Sequence, residues 1–135
     1  KAGRKMSVGI SPASSKVEHV MKYRLPIKAY DTILYTGMHY VGRDNFLITS
    51  SDAVVSIGGR MGTLHEFTIA METDTPIGFL QGAGGISDQI KSLVDIAQPL
   101  RPGAYVTFSE SPTELVKQLT DFLDKENAKY QNLYQ

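Results

Sequence analysis

Six consecutive residues, Gly58-Gly59-Arg60-Met61-Gly62-Thr63, with Glu66 three positions further on, are the part of this chain best suited to do chemistry. Glycines let a backbone approach a ligand closely. A helix opening directly after them offers unpaired N–H groups and the positive end of its dipole, which suits a phosphate. Gly62 and Thr63 are expected to open that helix, with the Thr63 hydroxyl available to the same anion. A structural reading stands beside this one. Any tight strand-to-helix turn takes glycines, and Thr63-Leu64-His65-Glu66 matches a capping box in which Glu66 reaches back to the Thr63 N–H. Spacing alone leaves both readings open. The segment matches neither the G-x-G-x-x-G dinucleotide fingerprint nor the Gly-Lys-Ser/Thr ending of a P-loop.

Such a loop binds ligands when it lies at the carboxyl end of a strand in an open α/β sheet, so the elements around it decide its value. Ala53 to Ile57 is the clearest strand, bounded by Asp52 and Gly58. Leu64, Phe67 and Met71 then fall on one face of a helix from Thr63 to Met71. Upstream, Met6 to Ile10 reads as a strand closed by Ser11-Pro12, and Thr32 to Thr36 as a β-branched strand ending at Gly37. Between them, Ala13 to Ile27 is mixed and polar, and Pro26 argues against a continuous helix. A helix is expected over Arg43 to Ser50. Downstream, Pro76 to Leu80 is a strand, Gly82-Ala83-Gly84-Gly85 a loop, and Ile86, Ile90, Leu93, Val94 and Ala97 an apolar helical stripe. Tyr105 to Phe108 is the last strand. Ser111-Pro112-Thr113-Glu114 then supplies a capping serine, a proline at the first helical position and a glutamate at the third. Leu115, Val116, Leu119, Phe122 and Leu123 form that helix's apolar face, and the polar tail from Asn127 to Gln135 is expected to fray. Apolar strands alternating with helices predict an α/β fold of three layers, a parallel sheet covered on both faces.

The bulk properties narrow the partners. The chain of 135 residues fits one domain and shows no linker or repeat. Fourteen basic residues balance fourteen acidic ones, so no basic excess points to nucleic acid or an anionic membrane. The absence of cysteine removes disulfides, thiolate catalysis and cysteine zinc sites. No apolar run reaches the roughly 18 residues of a membrane span, and Lys1 to Ser15 lacks a signal peptide's apolar centre. A cytoplasmic location is the default expectation.

A resemblance adds to the reading of the loop. Ile57-Gly58-Gly59-Arg60-Met61-Gly62-Thr63-Leu64-His65-Glu66 resembles the P-G-G-x-G-T-x-x-E signature of the Lonely-guy (LOG) family, long labelled lysine decarboxylases. Met38-His39, Arg43 and Ser51-Asp52-Ala53 resemble that family's M-H-x-R-K segment and the S-D-A stretch before its signature. Three departures stand out: Gly58 occupies the proline position, Arg60 occupies that of a second glycine, and three residues separate Met38-His39 from Arg43. The resemblance implies a Rossmann-like nucleotide-binding fold. It also implies that an N-terminal strand–helix–strand unit with a G-G-G-x-x-G-L-M loop precedes Lys1-Ala2-Gly3, leaving the domain here incomplete at its N-terminus.

The activity implied is hydrolysis of the N-glycosidic bond of a nucleoside 5′-monophosphate, giving free base and ribose 5-phosphate. Glu66 would stabilise the oxocarbenium-like transition state and orient water. Arg43 would grip phosphate or ribose with its forked guanidinium, and Gly58, Gly59, Gly62 and Thr63 would cradle the phosphate. Arg60 reads equally as a phosphate contact or a solvated loop residue, and Arg43 also as a surface cap. The alternative is a non-catalytic carrier or sensor of a nucleotide or molybdenum-cofactor pterin. No cofactor or metal is expected, since the three histidines are too scattered for a metal site. His19 reads as loop surface, His65 as structural or exposed, and His39 as a minor site candidate. Gly82 to Gly85 reads as a second ligand-facing loop or as a flexible turn. The resemblance further implies a homodimer or higher homo-oligomer. Nothing resembles a pyridoxal-phosphate lysine site, which sets lysine decarboxylation aside.

Overall fold

A computed structural model describes residues 5–133. Lys1-Ala2-Gly3, which the resemblance places after a further strand–helix–strand unit, lies outside the described residues. The chain forms two compact units, one ending at Leu47 and the other beginning at Ile48.

In the first unit, β1 (Val8–Ser11) and β2 (Thr32–Tyr35) pair in parallel, with Val8 opposite Thr32 and Ser11 opposite Tyr35. Parallel neighbours need a crossover, and α1 (Lys16–Met21) belongs to it. No continuous helix fills Ala13 to Ile27, as Pro26 led us to expect, but this short one within it was not foreseen. Ser15 caps it, accepting from the Glu18 N–H at 3.2 Å, and the Glu18 carboxylate reaches back to the Ser14 N–H at 2.8 Å. The helix is six residues long and closes well before Pro26, so the proline never meets it. After β2, the Gly37 N–H donates to Ala13 O and the His39 N–H to Pro12 O, which leads into α2 (His39–Thr49). That helix starts four residues earlier than the apolar spacing predicts.

His19 corrects a second expectation. It is only 3% exposed. Its Nε2 lies 3.2 Å from Pro26 O, a group that only accepts, so Nε2 carries the proton. Nδ1 then accepts from the Ser11 hydroxyl at 2.8 Å, and Ser11 Oγ in turn accepts from the Ala13 N–H. The ring ties the end of β1 to the segment leading back to β2.

In the second unit, β3 (Val54–Ile57), β4 (Ile77–Leu80) and β5 (Val106–Ser109) form a parallel sheet in that order. Side chains of a strand alternate between faces, and β4 uses both. Ile77 and Phe79 face α3 (Met61–Glu72) and α4 (Ile90–Ile96), where Phe67, Ala70, Met71, Ile90 and Val94 complete a core that also takes in Ile48. Phe79 meets Phe67 edge-on and stacks on Phe108. On the opposite face Gly78 leaves a notch: a Cβ there would stand 2.9 Å from Leu115 and 3.0 Å from Leu119. Those leucines belong to α5 (Pro112–Ala128), which also stacks Phe122 on Tyr105 and hydrogen-bonds Thr107 through Gln118. The sheet of this unit is therefore covered on both sides, as three layers require. Each fully buried side chain such as Phe79 or Ile77 contributes about 1.5–3 kcal/mol.

Three local expectations differ in detail. Val116 turns outward at 50% exposure, because neighbours on a helix lie about 100° apart and Leu115 already faces the sheet. Ile86 belongs to a separate 3-10 turn, Gly85–Asp88, ahead of α4. Within the described part of the tail, α5 runs to Ala128 and Gln131–Leu133 forms a 3-10 turn, where the polarity led us to expect no regular element.

Candidate functional site

Apolar β3 ends where Gly58 and Gly59 take φ of +66° and +88° and turn the chain into α3. The helix opens at Met61, with Arg60 as its N-cap and no side-chain capping bond. Thr63 is thus the third helical residue, inside the helix rather than at its mouth. A capping box between Thr63 and Glu66 needs Thr63 at the N-cap, so that structural reading fails. The Thr63 side chain instead lies over Gly59, where an added Cβ would come within 2.0 Å of its hydroxyl.

The mouth of α3 is open and carries no carboxylate in its first turn. Met61 is 72% exposed, and a Cβ at Gly62 would meet nothing within 4 Å. Helices α1 and α5 differ, each carrying a glutamate in the first turn and a serine cap. Free N–H groups and an unneutralised dipole therefore remain at α3. Glu66 is half-buried one turn along. It lies four residues after Gly62 and three after Thr63, the spacings that share a helix face. His65 beside it is half-buried as well.

The second glycine loop closes on the first. Because β3 and β4 run parallel, both loops leave the same end of the sheet. The Ile86 N–H donates to Gly59 O at 3.1 Å and the Ser87 N–H to Gly58 O at 3.2 Å. The Ser87 hydroxyl also donates to Gly58 O, and Ser56 Oγ lies 3.4 Å from it. Asp88 accepts from the N–H groups of Gly82 and Gly84 at 2.8 and 3.0 Å. The loop from Gly82 to Gly85 is thus a tied support for the Gly58 turn. Nothing in the local sequence around Ser87 announces a partner 29 positions away.

Gly58, Gly59, Arg60, Gly62, Thr63 and Glu66 accordingly share one strand–turn–helix of the second unit. Arg43 belongs to the first unit, on α2. Its side chain is 20% exposed, with Nε 3.2 Å from Asp44 Oδ1 and the guanidinium 5.8 Å from the Tyr40 ring. It lines a cavity of about 120 Å³ with Ile10, Pro12, His19 and Tyr30. His39, at the start of α2, has Nδ1 2.9 Å from the Tyr23 hydroxyl. A larger hollow of about 250 Å³, lined by Phe67, Met71 and Leu100 among others, does not include the glycine turn. Among the described residues, no cluster of three or more His, Cys, Asp or Glu side chains is placed to hold a metal ion, and no helix is long and apolar enough to cross a membrane.

Comparison with known proteins bears on this arrangement. An X-ray structure of TM1055, a structural genomics target, shares the fold with a TM-score of 0.72 at 24% identity. The match covers 89% of this chain and 66% of that one, so the chain spans just under two thirds of that neighbour's length. No curated protein matches the chain. The model of the SLOG cluster4 family matches residues 1–116, which include both strand units, the glycine turn and Glu66. On that match the chain belongs to the SLOG cluster4 family.

Proposed function

We propose that the protein binds a nucleoside 5′-monophosphate, or a related phosphorylated small molecule, with its phosphate at the turn from Gly58 to Thr63, and that it hydrolyses the N-glycosidic bond. The observation that carries this reading is the mouth of α3, uncapped by any side chain and free of carboxylates in its first turn. N–H groups in that state suit a phosphate. Arg60, exposed at the N-cap, adds a cation at the rim. Family membership supports a nucleotide-binding role for this turn.

In the proposed reaction the bond from C1′ to the base nitrogen breaks and a water oxygen bonds to C1′. One water proton goes to the departing base and the other remains as the new hydroxyl of ribose 5-phosphate. Positive charge develops on the ribose at the transition state. The Glu66 carboxylate, on the face of α3 that carries Gly62 and Thr63, stabilises that charge and orients the water.

One observation favours a second reading, a carrier or sensor that binds without turnover. Gly58 has a φ of +66° where the resembled signature has proline, which is fixed near −65°. The turn here follows a different path at its first residue. Incubation with AMP and other monophosphates, with free base followed by chromatography, separates the two. Base release that Glu66→Ala reduces at least about a hundredfold, with AMP still bound, supports the enzyme. Tight binding with no base released by the unaltered protein refutes it in favour of the carrier.

A further inference from the structure

We propose that Ser87 is a positioning residue for the phosphate cradle, holding the Gly58 peptide so that the next two amides face the ligand. This rests on the nucleotide reading above. Ser87 is fully buried and lies outside the segment that resembles a family signature. Its backbone N–H and its hydroxyl both donate to one acceptor, Gly58 O. Its own carbonyl accepts from the Gln81 side chain at 2.9 Å, which fixes the donor in turn. Since the Ser87 proton is committed to Gly58 O, the Ser56 hydroxyl is the donor across the 3.4 Å to Ser87 Oγ.

The geometry of the peptide unit gives these contacts a consequence. In a trans peptide the carbonyl and the following N–H point to opposite sides. Gly58 O drawn toward Ser87 turns the Gly59 N–H away from the support loop. Gly59 O, drawn toward the Ile86 N–H, does the same to the Arg60 N–H. Two successive amides then face outward and continue into the open first turn of α3, a backbone concavity of the kind that binds anions. Two adjacent glycines rotate easily, so the turn needs an external hold to keep this arrangement. With alanine at position 87 the Gly58 carbonyl keeps only its backbone donor, and the buried Ser56 hydroxyl loses that acceptor.

The test is calorimetric titration of AMP and of inorganic phosphate into the unaltered protein, Ser87→Ala and Ser56→Ala. Thermal unfolding and amide NMR spectra accompany each titration. Ser87→Ala should weaken both ligands about three- to tenfold, the loss expected for one hydrogen bond, and shift the Gly59 and Arg60 amide signals. Ser56→Ala should weaken them less. In the base-release assay the change should fall on KM rather than kcat. Unaltered protein that binds while Ser87→Ala binds equally well overturns the positioning role and leaves the nucleotide reading intact. Unaltered protein that binds neither AMP nor phosphate removes the nucleotide reading, and the role of Ser87 with it. If Ser87→Ala does not fold, Ser56→Ala decides: weaker binding supports the proposal and unchanged affinity overturns it.

Discussion

The contact between the two glycine loops is best tested by placing one methyl group inside it. In Gly85→Ala the new Cβ would stand 2.4 Å from Gly59 O and 3.0 Å from Gly58 C, against an ordinary contact of 3.4 Å or more. These are backbone atoms held by Ile86 and Ser87, so no side chain can swing aside. Gly82→Ala is the control. Gly82 has a φ of +77°, close to the +70° of Gly85, but a Cβ there meets nothing within 4 Å. Both variants carry the left-handed cost of about 1–2 kcal/mol, partly offset by the lower entropy of an unfolded chain with alanine. Gly82→Ala should therefore lose about 1 kcal/mol. Gly85→Ala must also part the loops, which strains packing by about 1–3 kcal/mol and weakens a hydrogen bond worth about 1 kcal/mol. The expected gap between the variants is about 2–4 kcal/mol. Urea unfolding followed by circular dichroism measures it, with unchanged slopes confirming a common unfolded state. In a chain of 135 residues each kcal/mol corresponds to about 3–4 °C in Tm. Losses within about 0.5 kcal/mol of each other would refute a packed loop-to-loop contact.

Two further outcomes concern the first unit. The Lys22 ammonium at 2.7 Å, followed by the Ser14 hydroxyl and N–H, lowers the Glu18 pKa from 4.5 to about 2. The folded state holds this proton more weakly than the unfolded chain does. Its stabilisation is therefore present above about pH 4.5 and is lost as pH falls toward 2. NMR titration of the Glu18 carboxyl should show a midpoint near 2 that rises in Lys22→Met, and an ordinary midpoint in the unaltered chain contradicts the pairing. His19→Leu removes both ring hydrogen bonds and leaves Pro26 O and the buried Ser11 hydroxyl unmatched. It should cost about 2–4 kcal/mol in urea unfolding, and a loss under about 1 kcal/mol would show that the ring is not structural.

One sequence pattern shows what was legible and what was not. Apart from Thr107-Glu110, which begins within β5, a Ser or Thr followed three residues later by Glu occurs at Ser15-Glu18, Thr63-Glu66 and Ser111-Glu114. The third was read as a helix start and is one, helped by Pro112. The first is a true cap but was passed over, because the helix behind it is too short for apolar periodicity to register. The second was weighed as a cap and is not one, because the helix starts two residues earlier. Local pattern gives an energy to a cap but does not choose among neighbouring starts. That choice fell to the docking of Gly58 and Gly59 against the loop after β4, a contact between residues far apart in the chain. For the same reason β3, β4 and β5 were readable from their composition, whereas burial of His19 was not. Its partners, Ser11 and Pro26, come together only once β1 and β2 have paired.

The left-handed turn at Gly58 bears on how this protein should be engineered. A common route to stability replaces unusual residues with those a wider set of relatives prefers. At position 58 that route points to proline. Proline would rotate φ by about 130°, from +66° to near −65°. The Gly58 carbonyl would then swing off Ser87 and the Ile86–Ser87 segment would lose its seat. A substitution that looks corrective in an aligned sequence would remove the support from under the glycine turn. Libraries built from family averages should hold Gly58, Gly85 and Ser87 fixed together, because each position constrains the other two.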